Sequence, residues 1–286
     1  MNGRVNAVPA SVLYSSARVP EDMLKARSAD ADVWLVDLED SVPPTCRTAA
    51  RQAVYAFLAS GIDLCRTAVR INPLSTADYC ADVTMLLAQD RRPAFVFMTM
   101  VDDAAEVRCL RAAFDGAGWR PRIYATIETA SGVANVRALA AELDGMILGS
   151  ADLAASLGVD ISAVALRGAR EAMALAAAET GTGCIDTGNF LLGNPEALAA
   201  EITEARALGF HGKGTVHPKE LQAINAAFRP DPETIRQAHR VCDAHSQANG
   251  GVCMLDGQMI GPPFVRLAKA RLARAQSWKE TFGEGQ

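Results

Sequence analysis

Short apolar runs alternate with amphipathic stretches along most of the chain. Val12-Leu-Tyr-Ser15 opens the series as a strand, and Pro20 to Ala29 follows as a helix with proline in its first turn. Asp32-Val-Trp-Leu-Val-Asp37 is a second strand, running into the acidic cluster Asp37-Leu-Glu39-Asp40. Pro43 and Pro44 then punctuate the chain before an amphipathic helix that ends near Ala59. Arg66 to Pro73 reads as a third strand with a helix from about Ala77 to Gln89, and Ala94 to Met98 as a fourth with a helix to about Ala117. Ile123 to Ile127 is β-branched and apolar, a fifth strand, after which Val133, Val136, Leu139 and Ala140 recur at helical spacing. Asp144 to Gly149 is the sixth strand, followed by an alanine-rich helix from about Ile161 to Glu179. Thr182 to Asp186 is the seventh, Pro195 to Leu208 is helical, and Lys213 to His217 gives the eighth.

Strands that alternate with helices in this way point to a parallel sheet with its crossovers on the outside. A (β/α)8 TIM barrel takes roughly 200–250 residues, which fits residues 1–228. An open doubly wound sheet is the rival, but no Gly-x-Gly-x-x-Gly follows the first strand, and Gly181-Thr-Gly183 and Gly212-Lys-Gly214 precede strands instead of helices. Residues 229–286 are expected to form a C-terminal helical extension. It holds one helix (Pro232 to His245), a Gly-flanked segment (Gly250 to Gly261) and a last basic helix. Too small for an independent core, it is expected to pack on the barrel or on a neighbouring subunit.

Composition narrows the function. Half of the 286 residues are hydrophobic and 21% are charged, the signature of a globular chain with ample core-forming material. A net charge of −5, without a basic cluster interleaved with aromatics, argues against a nucleic-acid partner. Apolar runs stop short of membrane-spanning length, and Met1 to Pro9 lacks the hydrophobic segment of a secretory signal. The seven cysteines are scattered without a Cys-x-x-Cys, so they read as reduced thiols of a cytoplasmic protein.

In such a barrel the active site forms where the strands end, which makes Ser15, Asp37, Glu39, Arg70, Asn72, Thr99, Glu128, Asp152, Asp186 and His217 the candidates. Glu128 closes a buried strand and Asp152 follows the next one, so the two carboxylates share a rim. Facing carboxylates repel unless one gains a proton or a cation sits between them. With water and substrate oxygens filling the other positions, the pair suits Mg²⁺ or Mn²⁺. The plain alternative makes Glu128 a capping carboxylate for the helix that follows. Arg70 ends an otherwise apolar strand, and its planar fork fits a substrate carboxylate; a buried ion pair with Glu39 or Glu128 is the alternative. Asp37 and Glu39 are read as partners of Arg70 or of metal-bound water, against simple capping of the loop with Asp40 and Ser41. His217, beside Pro218, is either a base or a structural histidine at a helix start. Lys213 begins its strand at the wrong rim for a Schiff-base lysine, and no Gly-x-Ser-x-Gly or Cys/His pairing supplies a nucleophile. Metal-assisted carbonyl chemistry is what remains.

Seven segments, in order, resemble the citrate lyase β-subunit-like and malyl-CoA or citramalyl-CoA lyases. They are Asp37-Leu-Glu-Asp-Ser-Val42, Val69-Arg-Ile-Asn-Pro73, Ile127-Glu-Thr-Ala-Ser-Gly-Val133, Gly149-Ser-Ala-Asp-Leu-Ala-Ala-Ser-Leu-Gly158, Ile185-Asp-Thr187, Val216-His-Pro218 and Asp256-Gly-Gln-Met-Ile260. The resemblance implies a homotrimeric TIM barrel with Glu128 and Asp152 on Mg²⁺ and Arg70 on the carboxylate of a 2-oxo acid. It also implies reversible carbon–carbon cleavage of a 3-hydroxyacyl thioester into that acid and an acyl thioester. Ser15 and Asn72 are expected to touch the substrate. Four departures stand out: Ser15-Ser16-Ala17 replaces the family's Val-Pro-Gly, Thr99-Met100 its Pro-Lys, Ala151 an acidic residue, and Gly261 the Asp of Met-Ile-Asp-x-Pro. They bear on coenzyme A recognition and on the acid–base step, and point away from a simple coenzyme A ester. The chemistry expected is a lyase or aldolase acting on a small carboxylic acid of the pyruvate, glyoxylate or oxaloacetate type, with an acyl-CoA or another acyl partner. Thioester hydrolysis at the same site, or a weakly catalytic acid-binding subunit of a larger complex, are the alternatives.

Overall fold

The structure, a computed structural model, describes residues 7–188 and 191–283. Eight parallel strands close into a barrel: β1 (Ser11–Ser16), β2 (Val33–Asp37), β3 (Thr67–Arg70), β4 (Phe95–Met98), β5 (Arg122–Ile127), β6 (Gly145–Leu148), β7 (Gly183–Asp186) and β8 (Gly212–Thr215). Each pairs with the next, and β8 returns to β1 through Ser11↔Lys213, Val12↔Gly214 and Leu13↔Thr215. The intervening helices are α1 (Pro20–Ala26), α2 (Arg47–Ala59), α3 (Ala77–Leu87), α4 (Ala104–Gly116), α5 (Ala130–Ala134), α6 (Val136–Glu142), α7 (Ser150–Leu157), α8 (Ala163–Thr180), α9 (Pro195–Leu208) and α10 (Leu221–Phe228). The TIM barrel expected from the alternating pattern is the fold observed.

Two layers of burial hold it. Inside the barrel, Tyr124 stacks on Phe97 with ring centroids 4.9 Å apart and meets Phe95 edge-on at 5.7 Å. Gly145, opposite Tyr124 on the neighbouring strand, leaves the room this needs, since a Cβ there would lie 2.0 Å from the tyrosine ring. Between strands and helices, Val107, Leu110 and Phe114 form the buried stripe of α4, and Met173, Ala176 and Ala177 that of α8. The same outer layer contains charge. Lys213 is fully buried, with Nζ donating to Asp186 Oδ2 at 3.1 Å and to the Thr187 carbonyl at 2.7 Å, and lying 2.8 Å from Glu201. Arg170 Nε donates to the other oxygen of Asp186 at 3.0 Å. Removing one member of such a group leaves a buried charge uncompensated, so Lys213 and Asp186 hold the wall together.

Three elements escape the sequence pattern: α7, α10 and a hairpin of β9 (Cys253–Leu255) with β10 (Gln258–Ile260). The chain divides into two compact units, Pro9–Phe228 being the barrel. The unit that holds Arg229 onward packs α11 (Pro232–Gln247) against α12 (Pro262–Phe282) beside that hairpin. It exposes apolar side chains, Met254 at 64% and Met259 at 65% among them. No disulfide joins the seven cysteines, and among the described residues no helix is long and apolar enough to cross a membrane.

Candidate active site

A cavity of about 640 Å³ opens where the barrel strands end, lined by Tyr14, Ser15, Asp37, Arg70, Glu128 and Asp152 among others. Five of the ten strand-end candidates, Ser15, Asp37, Arg70, Glu128 and Asp152, are thus brought together. Glu128 comes from the first position after β5 and is 3% exposed. It does not cap the helix that follows. Thr129 does so, accepting from the Gly132 N–H at 2.8 Å, while Glu128 Oε1 reaches back to accept from the Met100 N–H at 2.7 Å. Met100 holds that N–H in place with a left-handed backbone, φ 52°. Such a conformation is uncommon for a residue with a side chain.

Arg70 sits at the centre of the charge. Its Nε and Nη2 donate to Asp37 Oδ1 and Oδ2, both at 2.7 Å, so Asp37 takes the fork bidentately. Nη1 lies 3.2 Å from Glu39 Oε2 and 3.5 Å from Asp40 Oδ2, and the guanidinium carbon is 5.4 Å from the centre of the Tyr14 ring. A buried ion pair is therefore real, but its main partner is Asp37, and Nη1 is shared between Glu39 and Asp40. Asp37 also accepts from the Glu39 and Ser41 N–H groups, at 2.9 and 3.0 Å, which combines the capping and the partner roles in one carboxylate.

Charge and burial act differently on each acid. Burial would raise Asp37, but the charge and hydrogen bonds of Arg70 outweigh it and hold the carboxyl below the usual range. Burial pushes Glu39 up to about 7 against the pull of Arg70, with Asp40 and Asp37 adding to the rise. Glu128 is pushed up to about 8, again by burial; the Met100 N–H and Arg70 oppose this, and Glu39 and Asp152 add to it. Asp152, presented from the first turn of α7, is raised by burial and by Asp40, with Arg70 opposing. The phenol of Tyr14 is raised too, by burial foremost, so it stays protonated at neutral pH. The two carboxylates on the cavity wall thus hold protons more tightly than free acids do, the condition a bound cation relieves.

Among the described residues, no three His, Cys, Asp or Glu side chains are grouped to hold a metal by themselves. Glu128 and Asp152 fit a hard divalent ion that keeps most of its positions for water and substrate oxygens, as Mg²⁺ does. The cradle for Glu128 supports that fit: its Oε2 passes so close to Gly149 that a Cβ there would lie 2.6 Å away.

Two expectations need correction. Asn72 does not line the cavity; its Nδ2 donates to Asp82 Oδ2 at 2.7 Å and to the Leu38 carbonyl at 3.0 Å, because β3 already ends at Arg70. Asp186 turns away into the outer layer, towards Arg170 and Lys213. For His217 the geometry agrees with the structural reading at a helix start, its Nδ1 accepting from the Lys219 N–H at 3.2 Å. Glu39 lies behind Arg70 and outside the cavity lining, while its neighbour Asp40 is part of it. Ser15 lines the cavity, and its hydroxyl donates to the Leu35 carbonyl at 3.3 Å. Tyr14, Thr126 and the hydrogen-bonded hydroxyls of Ser150 and Thr187, 2.7 Å apart, also line the cavity and were missed. Tyr14 and Thr126 lie within strands, where a search confined to strand ends does not look.

Residues 10–218 match the family model described as HpcH/HpaI aldolase/citrate lyase. The citrate lyase subunit beta-like protein of Mycobacterium tuberculosis is 33% identical over 273 residues, covering 92% of this chain and 94% of that one. The (3S)-malyl-CoA thioesterase of Cereibacter sphaeroides is 30% identical, covering 93% of this chain and 94% of its own. Among solved structures, the protein CitE of M. tuberculosis in complex with magnesium, acetoacetate and coenzyme A superposes with a TM-score of 0.78. It is 31% identical and covers 95% of this chain and 99% of its own.

Proposed function

The chain belongs to the HpcH/HpaI aldolase/citrate lyase family, and we propose that it is a Mg²⁺-dependent carbon–carbon lyase that releases a 2-oxo acid from a hydroxyacyl substrate. One observation carries the reading: the Glu128–Asp152 pair and Arg70 line a single cavity at the end of the barrel. The complex of the M. tuberculosis relative with magnesium and coenzyme A supports both the metal and an acyl-CoA partner.

A 2-oxo acid carries a carboxylate and a keto oxygen on adjacent carbons, so one end can meet Arg70 while the other lies beside the acids. Arg70 binds the carboxylate from the cavity side of its guanidinium, and Asp37 fixes the guanidinium plane through paired hydrogen bonds. Glu39, 3.2 Å from Nη1, steadies the same group. Ser15 contributes a hydroxyl to the wall where the substrate sits. Glu128 and Asp152 would hold the magnesium, which supplies Lewis-acid polarisation of the keto oxygen and offsets charge that develops there. In cleavage, the substrate hydroxyl loses its proton and becomes the new carbonyl. The carbon–carbon bond beside it breaks, and the departing acyl carbon takes up a proton.

The test uses purified protein with Mg²⁺ or chelator and a panel of hydroxy acids and their thioesters, malyl-CoA and citramalyl-CoA included. Released oxo acid and released thiol are followed separately. A lyase frees oxo acid without thiol. Thiol without oxo acid supports hydrolysis, the second reading, which the malyl-CoA thioesterase relatives favour. Neither product from any substrate would leave an acid-binding subunit as the function.

The protein acts as a homotrimer in this proposal, with residues 229–286 as the segment that associates. Support comes from the exposed apolar side chains of Val252, Met254, Met259 and Leu267, which a monomer would leave in water. Light scattering at micromolar concentration should give three times the 30.3 kDa chain mass; a monomer would count against it.

A further inference from the structure

We infer that Gly149 is the residue that sets the spacing of the Glu128 and Asp152 carboxylates, and that a single added methyl there uncouples the pair. The inference rests on the metal reading above and deepens it. Glycine is not needed at this position for its backbone. With φ −98° and ψ 89°, Gly149 occupies a conformation that alanine can adopt. Space is what it provides. A Cβ built on Gly149 would fall 2.5 Å from Glu128 Cβ, 2.6 Å from Glu128 Oε2 and 2.7 Å from Thr126 Cγ2. The contact with Glu128 Cβ decides the matter, because a Cβ is fixed to its strand and cannot swing aside as a carboxylate can.

Position 149 is also where the two acids are joined. Its N–H donates to the Ile127 carbonyl at 3.0 Å, the residue before Glu128. Its carbonyl accepts from the Leu153 N–H at 3.1 Å, in the first turn of α7, where Asp152 sits. Crowding at this junction therefore has two outlets. Either β5 moves and takes Glu128 with it, or α7 moves and takes Asp152 with it. Both change the distance between the carboxylates. Thr126, on the same face of β5 two residues before Glu128, crowds the same Cβ at position 149 through its Cγ2.

The experiment measures Mn²⁺ binding by electron paramagnetic resonance, together with circular dichroism and thermal melting, on the full chain. Wild type, Gly149→Ala, Glu128→Gln and Leu110→Ala are compared. Leu110 is buried in α4, within the strand–helix layer, and its truncation controls for a plain loss of stability. The expected result is a folded Gly149→Ala with its Mn²⁺ dissociation constant raised at least about tenfold, the effect typical of losing a group that orients a ligand. Leu110→Ala keeps the wild-type constant, and adding Thr126→Ser to Gly149→Ala recovers part of the loss. If Gly149→Ala binds like wild type while Glu128→Gln does not, this inference falls and the metal reading stands. Wild type that fails to bind Mn²⁺, or Glu128→Gln that binds equally well, overturns the metal reading and the inference with it. A Gly149→Ala chain that does not fold, or a matching loss in Leu110→Ala, makes Gly149 a purely structural glycine and overturns the positioning role.

Discussion

Glu128→Gln should make the metal-free protein more stable and abolish its response to Mg²⁺. The two effects have one cause. Glu128 is almost fully buried, with a single backbone donor, and burial pushes its carboxyl up to about 8. A folded-state value above the unfolded one means that the native chain holds this proton more tightly than the unfolded chain. Stability from that proton is complete below the unfolded value of 4.5 and drains away as pH rises to about 8. At pH 9 the full shift is worth on the order of 5 kcal/mol, and less at pH 7. Glutamine keeps the acceptor for the Met100 N–H and never ionises, so it escapes this cost. The variant should melt several degrees above wild type at pH 9 in chelator, and the gap should close towards pH 5. With Mg²⁺ the order reverses: the cation offsets the charge of wild-type Glu128 and stabilises the fold by mass action, but finds only Asp152 in the variant. Metal-dependent turnover should fall by more than the roughly 10–100-fold that loss of a supporting group alone brings. Asp152→Asn should lose the metal response too, with a smaller stability gain because Asp152 is partly open to solvent. Thermal scans at several pH values, with chelator and with Mg²⁺, decide the matter. A variant less stable than wild type at pH 9, or one still stabilised by Mg²⁺, would refute the role given to Glu128.

That trade of stability for function is visible in the sequence only in part. The barrel is legible because most of its strands, buried on both faces, are short apolar runs marked off by Gly, Pro or a charge; β8, Gly-Lys-Gly-Thr, is the exception. The rim carboxylates are legible because an acid at the end of such a run has no local partner. What fails is the direction of side chains. Asp186 and Glu128 both close or follow an apolar strand, yet one points to the outer layer and the other to the cavity. In a strand of four residues with both faces buried, alternation has no polar face to declare which parity is inward. Asn72 was misplaced for a related reason. Its strand ends two residues earlier, and its partner, Asp82, comes from a helix ten residues on. Helix α7 leaves little trace in the sequence because its Ala and Ser residues give little apolar contrast, so the pattern places Asp152 just past a strand without showing the first helical turn that presents it.

The second large effect concerns Arg70. Arg70→Lys should lower kcat/KM for the oxo acid by about a hundredfold, through KM far more than through metal affinity. In the proposed reading the guanidinium performs two tasks at once: Nε and Nη2 neutralise Asp37 through paired 2.7 Å hydrogen bonds, and the group's charge on the cavity side holds the substrate carboxylate. An ammonium is a single point of charge on a flexible stem and can serve only one of them. Asp37 wins that competition. It is buried and held as an anion by its cation, with a carboxyl kept below the usual range, and leaving it unpaired would cost several kcal/mol. The lysine therefore turns to Asp37, and the substrate carboxylate loses a charge-assisted contact worth roughly 1.5–3 kcal/mol, or about ten- to two-hundredfold. The fold and the Glu128–Asp152 pair keep a positive neighbour, so the Mg²⁺ constant should move by only a few-fold. Asp37→Asn supplies the complementary case: Arg70 stays charged but is freed to rotate, so oxo-acid binding weakens although no substrate contact has been removed. Titration calorimetry with pyruvate at saturating Mg²⁺, run beside Mg²⁺ titrations of both variants, separates the two constants. Unchanged pyruvate binding in Arg70→Lys would show that the arginine serves only to neutralise Asp37, and would shift the search for the carboxylate anchor to Lys25 at the cavity mouth.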